Sequence, residues 1–121
     1  MHYASEDHSR ILLSEEFCVS PQKDKRLGRD EDLLRKVARS LDTVDDFGTD
    51  KNYYPAGNIE PKGDGWWCLR IRHKNNYWRI LFRKVDSKNY GITNIFLKKE
   101  NKISKRDWDT AKRIAKREGW L

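Results

Sequence analysis

The chain is poor in the residues that staple small secreted proteins or build metal sites. Two cysteines in 121 residues, Cys18 and Cys68, cannot make a disulfide framework. Three histidines, His2, His8 and His73, show no ligand spacing with one another or with the cysteines, so no metal is expected. No apolar run approaches the roughly 18 residues that a membrane span needs. The opening MHYASEDHSR is polar and acidic, unlike a signal peptide. A cytoplasmic protein without a membrane partner is the expectation. Also missing are a glycine-rich phosphate loop, an HExxH pair and a Ser/His/Asp set with a nucleophile elbow. Catalysis, if any, would rest on fixed cations and a few titratable side chains, with no metal and no organic cofactor.

Charge is abundant and unevenly placed. Charged residues make up 37% of the chain and the net charge is +7. Residues 1–61 carry 9 Lys and Arg against 13 Asp and Glu, whereas residues 62–121 carry 17 against 6. A molecule polarised in this way usually meets a polyanion at its basic half. A merely solvated surface would have the same composition, but interleaved Trp and Tyr tilt the reading toward nucleic acid.

The length suits one domain, residues 1–121. Residues 1–9 have no apolar period and are expected to fray. Ile11–Leu13 and Phe17–Val19 look strand-like, and Pro21–Gly28 (PQKDKRLG) reads as a loop by composition. Asp30 is a good helix N-cap, with Glu31 and Asp32 in the first turn. Leu33, Leu34, Val37, Leu41 and Val44 follow at helical spacing, which predicts an amphipathic helix from Asp30 to about Asp45. Asn52–Asp64 reads as an irregular linker whose Tyr53 and Tyr54 pack rather than offer a base platform. From Trp66 the chain predicts a three-stranded meander: GWWCLRIR, the turn HKNN, YWRILFRKV, the turn DSKN, then YGITNIFLKK. Ser104 caps a closing helix, with Asp107 completing a capping box. Trp108, Ala111, Ile114 and Ala115 form its packing stripe.

Strand alternation sorts the meander into two faces. Trp67, Leu69 and Ile71 share one face, to be covered by helix; Trp66, Cys68, Arg70 and Arg72 share the other. On the second strand Trp78, Ile80 and Phe82 alternate with Tyr77, Arg79, Leu81 and Arg83. On the third, Ile92, Asn94 and Phe96 alternate with Ile95 and Leu97. Arg70, Arg72 and Arg79 therefore point to one side, away from the apolar set. Cations held on a sheet can grip a nucleic-acid backbone or stabilise a phosphoryl transition state. RNA supplies its own nucleophile, the 2′-hydroxyl, so its cleavage needs alignment, charge stabilisation and a proton carrier. His73, in the turn after Arg72, is a candidate carrier because histidine titrates near neutrality; a turn histidine is more often simply exposed.

Trp67-Cys68-Leu69-Arg70-Ile71, Tyr77-Trp78-Arg79-Ile80-Leu81-Phe82, Phe96-Leu97-Lys98-Lys99 and the helix pattern from Lys102 to Arg113 occur in a telling order. Together they resemble the RelE/ParE superfamily of type II toxin–antitoxin toxins, and within it the HigB-like, phage-derived branch. The resemblance covers residues 62–118. It implies an α+β fold, with a small twisted antiparallel sheet, an added N-terminal strand and helices packed on one face. It also implies a ribosome-dependent mRNA endoribonuclease that arrests translation, with mRNA and ribosome as targets and a cognate antitoxin protein over the basic face. Position by position, the paired basic residues fall on Arg70 and Arg72, the phosphate-binding arginine on Arg79, and the basic residue after the last strand on Lys98 or Lys99. Arg70, Arg72, Arg79, His73 and Lys98 are then the catalytic candidates. Lys74, Lys99, Lys102, Lys105 and Trp108 are the candidate RNA contacts. The chain departs from the pattern in the closing helix, where relatives often place a tyrosine and Asp107-Trp108 stands here; Trp108 could stack on a base but cannot donate a proton as a catalyst. Pro21–Gly28 stands where a first helix is usual. A ParE-like DNA gyrase inhibitor, or a non-catalytic binding module on the same fold, are the alternatives.

Overall fold

Alternating apolar residues draw Trp66–Lys84 and Tyr90–Leu97 into the middle of a sheet. The computed structural model describes residues 10–121 and the backbone of residues 2–3. Its elements are β1 (His2–Tyr3), β2 (Ile11–Ser14), α1 (Glu15–Lys23), α2 (Lys25–Gly28), α3 (Glu31–Phe47), β3 (Ile59–Gly63), β4 (Trp66–His73), β5 (Asn76–Lys84), β6 (Tyr90–Leu97) and α4 (Lys105–Arg117). The sheet order is β1-β2-β6-β5-β4-β3. The meander is antiparallel, as expected, whereas β2 joins β6 in parallel and makes the sheet mixed. The expected fraying of residues 1–9 lies outside the described residues, apart from His2–Tyr3, which pair with Ser14 and Leu13.

Two stretches differ from the sequence expectation. The supposed loop Pro21–Gly28 is helical except at Asp24, which joins α1 to α2, and Phe17–Val19 is helical as well. Ser14 caps α1 by accepting from the Phe17 N–H at 3.0 Å, and Glu15 and Glu16 favour its first turn. α2 then folds back so closely that a Cβ on Gly28 would lie 1.9 Å from the Pro21 carbonyl oxygen. In the supposed linker, Ile59–Gly63 forms an edge strand against β4. An edge tolerates Pro61, which has no N–H to donate. Asp64 and Gly65, both at positive φ (54° and 83°), close the β3–β4 hairpin, so the Asp-Gly pair was the overlooked signal.

Helices cover both faces. α1, α2 and α3 bury Phe17, Leu27, Leu33, Val37, Leu41 and Val44 against Leu69, Ile71, Trp78, Ile80, Phe82 and Ile92. Each such side chain contributes about 1.5–3 kcal/mol when fully buried. The N-cap at Asp30 forms as expected, its carboxylate accepting from the Leu33 N–H at 3.1 Å. α4 packs on the opposite face, where Ala111, Ala115 and Trp120 meet Trp66, Cys68 and Leu81. Its capping box also forms: Ser104 Oγ accepts from the Asp107 N–H at 3.1 Å and donates to the Asp107 carboxylate at 2.9 Å. Within the meander, strict alternation fails where the register shifts between Leu81 and Phe82 opposite Thr93. This bulge brings Ile92, Ile95 and Leu97 to one side, which corrects the expected alternation of Ile92 with the other two. Tyr53 and Tyr54 pack: Tyr53 stacks on Phe47 at 3.8 Å and Tyr54 donates its hydroxyl to the Gly48 carbonyl. No helix among the described residues is long and apolar enough to cross a membrane.

Candidate nucleic-acid interface

The site follows from strand register. β4 and β5 pair Arg70 with Arg79 and Arg72 with Tyr77. Beyond β5, Phe96 faces Arg79, and the Lys98 N–H donates to the Tyr77 carbonyl at 2.8 Å. On the outer side, Glu60 pairs with Cys68 and so shares the arginine face. The result is a patch of Arg70, Arg72, Tyr77, Arg79, Lys98 and Glu60, with Lys62 bonded to Glu60 at 2.8 Å. Arg79 is only 5% exposed and its Nη2 donates to the Asn101 carbonyl at 2.8 Å. Arg70 is half-buried, and its Nε is buried without a hydrogen-bond partner. The Tyr77 ring lies between two cations, with the Arg70 guanidinium 5.4 Å and the Lys98 ammonium 5.3 Å from its centroid.

Charge in the patch is unbalanced in a useful way. The Lys62 hydrogen bond and the positive charge of Lys62, Arg70 and Arg79 outweigh partial burial and hold the Glu60 carboxyl below its ordinary pKa. Lys98 is pushed below its ordinary value, first by desolvation and then by repulsion from Arg70 and Arg79. Burial raises the Cys68 thiol to about 11, which leaves it inert as a nucleophile. Two arginines in register beside one carboxylate repel each other, and a bound phosphate would relieve that repulsion while accepting several charge-assisted hydrogen bonds. Among the described residues, no group of three or more His, Cys, Asp and Glu is placed to hold a metal ion.

Of the residues singled out in the sequence, Arg70, Arg72, Arg79 and Lys98 come together. Lys99 and Lys102 are exposed and line, with Arg79 and Lys98, a cleft of about 570 Å³ at the end of β6. His73 does not join them. It sits on the α3 side of the sheet, 6% exposed, with Nε2 2.7 Å from Asp30 Oδ2, so it is neither exposed nor beside the arginines. The backbone N–H of Leu33, and then His73, draw the Asp30 carboxyl down to about 2. Lys74 turns with His73 toward Asp30, 3.5 Å away, and is otherwise in solvent. Lys105 pairs with Asp109 at 3.1 Å on the outside of α4. Trp108 meets Trp66 edge-on at 5.6 Å within the α4 core, so it is a packing residue rather than a free platform. Sequence reasoning missed Glu60, Lys62 and Tyr77. The Asp64-Gly65 turn signals the strand carrying the first two, and alternation had already put Tyr77 on the arginine face.

A mixed sheet between two helical layers, with arginines aligned on one face, defines a small α+β module. Residues 27–116 match the family described as Phage derived protein Gp49-like (DUF891), and the chain belongs to it. That family is a RelE/ParE-like toxin family of toxin–antitoxin systems. The match takes in α3, the whole meander and nearly all of α4. No curated protein and no solved structure matches the chain.

Proposed function

We propose that this protein is the toxin of a type II pair, of the HigB-like branch, and that it cleaves mRNA on the ribosome in the cytoplasm without a metal. The observation that carries this reading is the register pairing of Arg70 with Arg79, one half-buried and one buried, beside the ionised Glu60. Glu60 accepts the proton of an RNA 2′-hydroxyl, whose oxygen attacks the adjacent phosphorus. Arg70, Arg79 and Arg72 hold the extra negative charge that develops on the phosphoryl oxygens. The bond to the 5′-oxygen breaks, leaving a 2′,3′-cyclic phosphate and a free 5′-hydroxyl. Lys98, made a better acid by desolvation and then by its two arginine neighbours, supplies the leaving oxygen with its proton. This assignment moves proton donation from His73 to Lys98, because His73 lies on the other face of the sheet. Lys99 and Lys102 extend the grip along the strand, and an antitoxin would cover the patch.

The test is controlled expression in bacteria with primer extension on a reporter mRNA, comparing wild type with Arg79→Ala and Arg70→Ala. The expected result is growth arrest with new breaks inside translated codons, absent in both variants. Arrest with intact mRNA would discard the nuclease and favour gyrase inhibition. No arrest by folded wild-type protein would leave only a binding module.

A further inference from the structure

The end of the sheet away from Lys98 carries a second cleft, on the other face. Lys84 closes β5 five residues after Arg79, about 17 Å along the strand, and alternation turns it toward α3 rather than α4. A cleft of about 800 Å³ opens there, within the size range of small-ligand sites. Three stretches wall it: Arg10 just before β2, the end of α3 with Phe47 and Asp50, and the β5–β6 turn with Lys84 and Lys88. Hydrogen bonds fix the backbone around it. The Arg10 N–H donates to the buried Asp45 carboxylate at 2.6 Å, and the Arg10 carbonyl accepts from the Tyr90 N–H at 2.8 Å. Asp86 ties the turn by accepting from the Lys88 and Asn89 N–H groups at 2.8 and 2.9 Å.

Two features of the walls point to one kind of ligand. The first is charge: Arg10, Lys84 and Lys88 have no ion-pair partner among the described residues, and Lys84 Nζ meets only the Tyr90 ring, 5.6 Å from its centroid. The acids close by are committed, Asp45 to Arg10, Asp86 to its turn, and Asp50 Oδ1 to the Asn52 N–H at 3.0 Å. The second is an aromatic surface. Phe47 and Tyr53 are the two exposed aromatic rings among the described residues, 45% and 53% exposed, and they lie parallel at 3.8 Å. Phe47 lines the cleft and Tyr53 does not, so Tyr53 backs the ring from outside. A flat ring entering the cleft would extend that stack. Cations facing an open aromatic ring suit a ligand that is planar at one end and anionic at the other. We infer that this cleft binds a nucleoside phosphate, its base on Phe47 and its phosphate held by Arg10, Lys84 and Lys88. Asp50 Oδ2, without a hydrogen-bond partner among the described residues, accepts from an exocyclic amino group and so favours adenine over uracil. A free nucleotide and one residue of an RNA chain offer this same chemistry. The cleft shares no residue with the arginine patch, so the inference stands whether or not the protein cleaves RNA.

Two-dimensional NMR of isotopically labelled protein reads the cleft through the amides of Gly48, Thr49 and Ser87, and the arginine patch separately through Arg79 and Lys98. Adenosine monophosphate is expected to shift the first set saturably, binding roughly tenfold more tightly than inorganic phosphate and several-fold more tightly than uridine monophosphate. Phe47→Ala, and separately Lys84→Glu/Lys88→Glu, should each weaken it roughly tenfold and leave its effect on Arg79 and Lys98 as in wild type. Octaadenylate identifies the source. Tighter binding at the same amides, lost in Phe47→Ala, assigns the site to an RNA chain; binding no tighter than the mononucleotide assigns it to a free nucleotide, and both support the inference. Unshifted amides at Gly48, Thr49 and Ser87 in millimolar adenosine monophosphate would overturn it. So would inorganic phosphate or an acidic octapeptide binding as tightly as the nucleotide, or binding indifferent to Phe47→Ala.

Discussion

Replacing Arg70 by methionine should silence the protein without weakening its fold. Arg70 faces Arg79 directly across β4–β5, and its buried Nε has no hydrogen-bond partner to lose. Two unit charges about 6 Å apart at an effective dielectric of about 20 repel by ~3 kcal/mol, and solvent around a half-exposed group cuts this to about 1–2 kcal/mol. Against that relief stands the cation–π contact with Tyr77, worth about 0.5–1 kcal/mol, while methionine keeps most of the aliphatic packing. The expected change in stability therefore lies between about zero and a gain of 1 kcal/mol. Cleavage should fall by about two to three orders of magnitude, the usual cost of removing one preorganised donor from a developing anion. The assay pairs urea denaturation at low salt with primer extension on reporter mRNA. Sulfate adds a second readout: it should raise the wild-type midpoint and raise the variant's less. A loss of more than about 2 kcal/mol in stability would show Arg70 to be a structural residue. Cleavage retained within tenfold would equally refute the reasoning.

Tyr77→Phe keeps the ring between Arg70 and Lys98 and should retain turnover within about threefold, whereas Tyr77→Ala should lose about tenfold. Equal damage from both, measured as turnover on one RNA, would instead assign the work to the hydroxyl. Because Glu60 is held below its ordinary 4.5, the wild-type acid limb of cleavage should lie below pH 4.5, and Glu60→Gln should remove about two to four orders of magnitude across the range. A pH–rate profile for the two proteins decides it. Asp30 has a folded pKa of about 2 against an ordinary 3.8, so its contribution is present above about pH 4 and is lost as pH falls toward 2. Asp30→Asn keeps a competent N-cap and should flatten the urea midpoint over that window; an unchanged slope would speak against the carboxylate's role. Gly28→Ala drives a methyl into the Pro21 carbonyl and should cost about 1–3 kcal/mol, read as a lower thermal midpoint with the arginine patch intact.

Short-range signals in the chain settled much of this protein. Asp30 and Ser104 announce helices because a cap acts on residues two or three places away. Alternation in WWCLRIR and YWRILFR announces the two faces, and with them the arginine row. Asp64-Gly65 carried an equally local signal for a hairpin, obscured by the surrounding Pro and Gly.

Other features depend on contacts far apart in sequence, which no local pattern encodes. Pro21–Gly28 looks like a loop alone and becomes helical because α2 can close against α1 and bury Leu27. His73 looks like a turn residue in solvent, yet Asp30, distant along the chain, draws it into a buried pair on the wrong face for the expected chemistry. One extra residue at Thr93 reverses the parity of β6. The row of arginines was legible because residue parity is local. Their neighbours Glu60 and Lys98 were decided by which strands meet and in what register. That choice is made by burying apolar surface across the whole sheet, and only the tertiary structure contains it.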